Sequence, residues 1–277
     1  MKSKLFTSLC SAFVLSAVIF PISALADVTE KDTFEQTVGL AMTGQVEIET
    51  TNGSIEVTSW DRAEVQVVAY KKARANSSSQ ARELLDEIEI QIEEYGGRVS
   101  VEAVLPRSGW FGGTSTSVAF EITIPADAEL EARSQNGAIK VRNLGGPAVL
   151  DTQNGSITAD GVKGSLILES SNGAITARDV AGAVQAETTN GRISADIVSS
   201  ALAEDVSLKT SNGSVELRID PGVAASVYAR TRNGSVSSDF EGGRMDERRR
   251  TLDLDLNGGG PRVELRSSNG SIRLRER

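Results

Sequence analysis

Residues 148–178 read AVLDTQNGSITADGVKGSLILESSNGAITAR, two near-copies of one unit set 18 residues apart. In each copy an alternating apolar pair (Ala148/Leu150, Leu166/Leu168) leads to a hydroxyl residue (Thr152, Ser170). Asn-Gly follows (Asn154, Asn172), and three residues beyond the Asn stands an isoleucine (Ile157, Ile175). Working outward, the same pattern is centred on Asn52, Asn136, Asn190, Asn212, Asn233 and Asn269. From Asn136 the intervals are 18, 18, 18, 22, 21 and 36, the last being two periods of 18. A fixed period near 20 residues signals a repeat architecture, and period-2 alternation on both sides of each Asn predicts two short half-buried strands per unit.

Two folds can use such a unit. In an antiparallel meander each Asn-Gly is a hairpin turn. In a β-solenoid each unit is one coil, each Asn-Gly a corner, and equivalent residues stack about 4.8 Å apart. The position six after the Asn favours the solenoid: it reads Arg142, Asp160, Arg178, Asp196, Arg218, Asp239 and Arg275. Alternating signs make sense for residues stacked in sequence order on an outer face, where like neighbours would repel. At the corner, Gly is expected to supply a positive φ. The asparagines Asn136, Asn154, Asn172, Asn190, Asn212, Asn233 and Asn269 are expected to lean inward and form a structural ladder of paired amides. The expected fold is therefore all-β, a parallel β-helix-like solenoid with coils of about 18 to 21 residues. The long interval before Asn269 reads as one coil carrying an insertion.

The flanking chain divides into three parts. Residues 1–26 carry Lys2 and Lys4, an apolar run broken by Pro21, and Ala24-Leu25-Ala26, the layout of a cleavable signal peptide. Cys10, the only cysteine, lies inside it, so the exported chain is expected to hold no disulfide and no transmembrane segment. Residues 27–130 contain an early copy of the unit, alternating strands through Val65, Ile88, Val99 and Val118, and a Ser77-led short helix. They read as a strand-rich N-terminal cap, and residues 131–277 as the repeat domain.

Composition narrows the function. There is no His, which removes Ser-His-Asp and Cys-His catalysis and His-ligated metal sites. Residues 27–130 carry 19 acidic and 8 basic side chains, while 131–277 carry 19 of each. A net acidic chain is a poor match for nucleic acid. Asp151, Glu169 and Glu187, each three before an Asn, are expected to form a solvated acidic row; they lack the Asp-x-Asp-x-Asp-Gly calcium loop, and neither metal nor cofactor is expected. Two sets of side chains stand out as candidate contacts. Arg244, Arg248, Arg249 and Arg250 break the repeat with forked cations suited to anions, and Trp110 with Phe111 in a Gly-rich loop reads as an exposed anchor.

VTSWDRAEVQV, FEITIPADAELEARSQNGAI and the closing NGGGPRVELRSSNGSIRL, together with the tandem T/S-x-N-G-x-I units, resemble the DUF4097 family, also labelled adhesins or β-strand-repeat proteins. The resemblance covers nearly all of residues 40–277 and implies a β-solenoid of the bacterial envelope, periplasmic or on the cell surface. It brings no catalytic residues. The expected function is a non-catalytic exported scaffold that binds an envelope polysaccharide, a lipid head group or a surface protein. The alternatives are a polysaccharide-active enzyme on a β-helix and an accessory component of envelope-stress signalling.

Overall fold

The computed structural model describes residues 27–106, 113–198 and 202–277; the signal-peptide segment, with Cys10, and the Trp110-Phe111 pair lie outside them. Each repeat unit contributes one strand to each of two sheets, and the chain passes between the sheets at the Asn-Gly corner. Strands preceding the corner, such as Ala148–Thr152 and Leu166–Ser170, form one sheet of 12 strands; strands following it, such as Ile157–Asp160 and Ile175–Val180, form the other, of 11. We call these the first and second sheets. Neighbouring units pair in parallel and in register, Leu150 beside Leu168 and Ile157 beside Ile175, as a solenoid requires and a meander forbids.

The core lies between the sheets. The alternating residues at six and four before the Asn and three and five after it point inward, so Leu150, Ile157, Ala159, Leu168 and Ile175 are at most 1% exposed. One apolar cluster runs from Val38 to Leu274. Its largest buried side chain is Phe120, and the rest is aliphatic, as a chain with 4% aromatics dictates.

The early copy, Gln45–Asn52 with Ile55–Trp60, stacks directly on the Asn136 unit, Asn52 beside Asn136. The strands outside it close that end. In the first sheet Arg98–Val104 lies parallel to Gln45–Asn52, and Glu89–Tyr95 folds back antiparallel on it. In the second sheet Ser115–Pro125 continues parallel, then Glu64–Ala75 and Val28–Gly39 follow antiparallel. The helix Ser78–Asp86 is capped by the Ser77 hydroxyl, which accepts from the Gln80 N–H, and it buries Ala81 and Leu85. Antiparallel strands and a helix at this end leave fewer unpaired parallel edges.

At the other end the structure departs from sequence order. The last unit, Arg262–Asn269 with Ile272–Glu276, inserts between the Asn212 and Asn233 units: Val206 pairs with Val263, and Val263 in turn with Val227. The Asn233 unit is therefore outermost, and Thr251–Leu256 packs antiparallel against its strand Ala225–Asn233. The 36-residue interval is thus not a coil with an inserted loop. The chain skips one position between Ile219 and Ala225, and the 36-residue interval holds the antiparallel strand Thr251–Leu256 outside the Asn233 unit before the last unit returns to fill the skipped position.

This order corrects the charge-column expectation. Asp160 does lie between Arg142 and Arg178 on adjacent parallel strands. A register shift after Ala177 removes the next step, and Arg218 lies beside Arg275, a like-charged neighbour. Of the expected neighbours, Arg275 and Asp239 do form an ion pair, at 2.5 Å; other pairs that form lie outside the series, Arg142 with Glu56, Arg218 with Glu216 at 2.9 Å, and Arg277 with Asp196 at 2.9 Å. Exposed pairs of this kind contribute little to stability.

Candidate functional site

Three ladders run the length of the solenoid at the corner, and they set what the outer faces can display. Each Asn donates from Nδ2 to the Oδ1 of its neighbour, Asn154 to Asn136 at 3.0 Å, Asn172 to Asn154 at 3.0 Å and Asn190 to Asn172 at 2.9 Å. The series starts at Asn52 and closes with Asn269 on Asn212 and Asn233 on Asn269. These asparagines are exposed from Asn136 onward, not inward-leaning.

The buried polar ladder is the hydroxyl row two residues earlier. Thr152 donates to the Gly137 carbonyl at 2.9 Å, Ser170 to Gly155 at 3.0 Å and Thr188 to Gly173 at 3.0 Å, with Thr152 only 1% exposed. Thr50, whose outer neighbour Ala103 belongs to a strand with no Asn-Gly corner, is buried without a partner among the described residues.

The third ladder is backbone. At Gly155, Gly173 and Gly191 an added Cβ would fall deep inside the carbonyl oxygen of the preceding corner glycine. Close approach, not a positive φ, therefore selects Gly in this row. Only Gly53, the first corner glycine, has a positive φ, at +142°.

The difference in burial gives an ordering of effects. Asn172→Ala removes two amide bonds at a site that water reaches, with an expected cost of about 0.5–1.5 kcal/mol. Thr188→Val leaves the Gly173 carbonyl buried and unpaired, with an expected cost of about 1–3 kcal/mol. Denaturant titration of the two variants checks the ranking, and an equal or reversed order would contradict the burial argument.

With the corners committed to these ladders, variation is left to the outward positions of the strands. On the first sheet the column three before each Asn runs, in spatial order, Glu49, Arg133, Asp151, Glu169, Glu187, Lys209, Arg266, Arg230. The acidic row is thus in register across three adjacent strands. Among the described residues, no three acidic, His or Cys side chains converge as metal ligands.

Immediately beyond Glu187 the same column becomes three cations. Here the surface forms a groove of about 270 Å³ lined by Glu187, Lys209, Arg230, Arg232 and Arg266 with Ser211 and Ser268. Beside it Glu264 binds Lys209 at 3.2 Å and Arg266 at 2.6 Å. Desolvation alone would raise this carboxyl, but hydrogen bonds from Arg266 and Lys209 and their charges outweigh it, so Glu264 is held below its ordinary value. Tyr228 offers its ring to Arg262 and Arg266, whose guanidinium carbons lie 6.0 and 5.9 Å from the ring centre. Sequence reasoning followed this column through Asp151, Glu169 and Glu187 and stopped one unit short. Lys209, Arg230 and Arg266, each three before its Asn, were the available signal.

Arg244, Arg248, Arg249 and Arg250 sit in the segment that follows the Asn233 unit, on its outer side, with Arg244 on the outermost strand of the first sheet, and all four are exposed. Their loop is held by its backbone. The Arg250 carbonyl accepts from Thr231 N–H at 2.9 Å and the Arg249 carbonyl from Val236 N–H at 2.7 Å. Asp246 accepts from the N–H groups of Thr251 at 2.7 Å and Arg250 at 2.5 Å. The Thr251 bond is the main reason its carboxyl is lowered, against a smaller opposing desolvation. Asp246 therefore serves the turn. Both depressed carboxyls, Asp246 and Glu264, contribute to stability above the ordinary carboxylate range, a contribution lost only as pH falls through their lowered values.

The fold and its stacked corners define a two-sheet parallel β-solenoid built from Asn-Gly coils. Residues 146–275 match the model of the family described as Toastrack DUF4097. Three solved structures align over most of the chain. A candidate cell-adhesion protein from Clostridium sporogenes covers 90% of this chain and 100% of its own at 12% identity, with a TM-score of 0.38. A candidate adhesin from Bacteroides fragilis covers 89% and 97% at 12% identity, TM-score 0.43. A candidate lipid-binding protein from Parabacteroides distasonis covers 89% and 97% at 8% identity, TM-score 0.28. No curated protein sequence matches the chain. Among the described residues no helix is long and apolar enough to cross a membrane.

Proposed function

We propose that this protein is a non-catalytic, exported scaffold of the cell envelope that binds through the outer face of its first sheet. The observation supporting this is the column from Asp151 to Arg230: three carboxylates and then three cations on six adjacent strands of a rigid sheet. Side chains fixed at strand spacing suit a surface that meets a repetitive partner at several points, because each further contact is made at high effective concentration. The signal-like residues 1–26 support export, and the periplasm or the cell surface is the compartment we assign.

A second reading, a polysaccharide-active enzyme, draws on the same row, since Asp151, Glu169 and Glu187 bring carboxyl groups onto neighbouring strands. Purified protein incubated with envelope polysaccharide separates the two. Retention of the protein on the polymer with no new reducing ends is the expected result. Release of reducing ends, abolished by Glu169→Gln, would establish the enzyme, and neither retention nor cleavage would remove both readings.

A further inference from the structure

We infer that the groove between the Asn212, Asn269 and Asn233 units is a binding site for an acidic polysaccharide segment, one bearing carboxylate or sulfate groups along the chain. The inference rests on the scaffold reading above and specifies its ligand. Lys209, Arg266 and Arg230 occupy successive strands, so their backbones step about 4.8 Å at a time across the sheet. Arg232 stands two residues along from Arg230 on the same outer face, and both are exposed. Neither guanidinium joins an ion pair among the described residues, whereas Lys209 and Arg266 share Glu264. Four cations face two carboxylates, Glu187 in the lining and Glu264 beside it, which leaves the groove net positive on a chain whose overall charge is -9.

The remaining chemistry selects the ligand class. Two residues beyond Lys209 and Arg266 on their strands lie Ser211 and Ser268, short hydroxyls able to donate to or accept from sugar hydroxyls. The lining holds no aromatic side chain, so it provides no stacking platform for bases, and no apolar side chain to receive an acyl chain. Guanidinium forks match carboxylate and sulfate oxygens in pairs. A polymer with one charge per sugar can cross the strands and meet Lys209, Arg266 and Arg230 in turn.

The register of the site depends on the interleaved topology. Arg266 comes from the last unit and lies between Lys209 and Arg230 only because that unit enters between the other two. Residues 209, 266 and 230 are thus brought side by side by the event that completes the fold.

Calorimetry on the purified protein would use polygalacturonate and dextran sulfate as probes, with neutral dextran, inorganic phosphate and phosphatidylglycerol vesicles as comparisons. Measurements at about 50 and about 200 mM salt test the charge dependence. Both acidic polymers are expected to bind, more weakly at the higher salt, and dextran not at all. Arg230→Ser with Arg232→Ser should weaken binding at least about tenfold while leaving the melting midpoint unchanged, since both side chains are exposed. Glu264→Gln, which releases Lys209 and Arg266, should tighten it roughly threefold to tenfold. A variant with Ser at Arg244, Arg248, Arg249 and Arg250 should lose less than the groove variant.

Equal binding by the groove variant and the unaltered protein, or loss confined to the four-arginine variant, would overturn the assignment. Binding to vesicles but not to the polymers would replace the glycan with a lipid surface. Retention on envelope polysaccharide without binding to either acidic probe would remove the groove assignment and leave the scaffold reading standing. Loss of both would remove the two together.

Discussion

Gly173→Ala is expected to destabilise the protein by about 4 kcal/mol or more, which is exceptional for adding one methyl group. The new Cβ would overlap the Gly155 carbonyl oxygen, a backbone atom that no rotamer change can move aside. Relief requires the two coils to separate locally. That separation weakens the Asn190–Asn172–Asn154 amide series and the Thr188 bond to the Gly173 carbonyl, which belong to the same corner. The expected readout is a fall in melting temperature of about 10 °C or more. Gly222→Ala is the comparison: its added Cβ approaches only the Asp220 side chain, at 3.1 Å, and the change should be small. A Gly173→Ala variant melting with the unaltered protein would show that the coils are farther apart at the corner than the structure places them.

The same corner shows what sequence can and cannot convey. Period and parity were legible because each inward residue has a fixed offset from its Asn. Leu150, Leu168, Ile157 and Ile175 follow from the alternation alone and are buried as it requires. The reason for the glycine was not legible. Asn-Gly has a strong local meaning as a positive-φ turn, but here the constraint comes from the neighbouring coil, which the local sequence does not contain. Burial of the Asn was misassigned on similar grounds: an invariant polar residue beside an apolar run is compatible with either face. The structure puts Asn172 outside and Ser170 inside.

The first strand of the cap, Val28–Gly39, was missed because only its edges carry a pattern. Its residues are mostly exposed, and it pairs along one side only, with Glu64–Ala75. For the candidate site, the cations three before Asn212, Asn233 and Asn269 were visible in the sequence, but their adjacency was not. It depends on the spatial order of the last two units, and all four corner positions of those units match the repeat equally well in either order. The ladders resolve it by agreement: Asn269 donates to Asn212, Asn233 donates to Asn269, and Thr231 donates to the Gly270 carbonyl.

That order makes the C-terminus structurally internal, and ending the chain after Asn257 should cost far more than the 20 residues removed. In a solenoid stacked in sequence order, losing the last unit exposes one coil face and leaves every other interface intact, because each repeat contacts only its neighbours. Here, among the described residues, the deleted strands Arg262–Asn269 and Ile272–Glu276 are the only ones that join the Asn233 unit to the body of the sheets. Without them Val227 and Ala229 lose Val263 and Leu265 as neighbours, and the hairpin strand Thr251–Leu256 remains attached only to the unit that has itself been released. Val206 and Leu208 on the other side of the gap are uncovered as well. Direct closure of the Asn233 unit onto the Asn212 unit would require residues 220–224, which span the skipped position, to rearrange. The expected result of limited proteolysis on the truncated chain is therefore a stable core ending near Ile219, with everything from about residue 220 to the new terminus digested, whereas the full-length protein resists to its last unit. A truncated chain that stays protected through Ser238 would show that the Asn233 unit can dock in the vacated position, and that the interleaving is a preference of the complete chain and not a requirement of its coils.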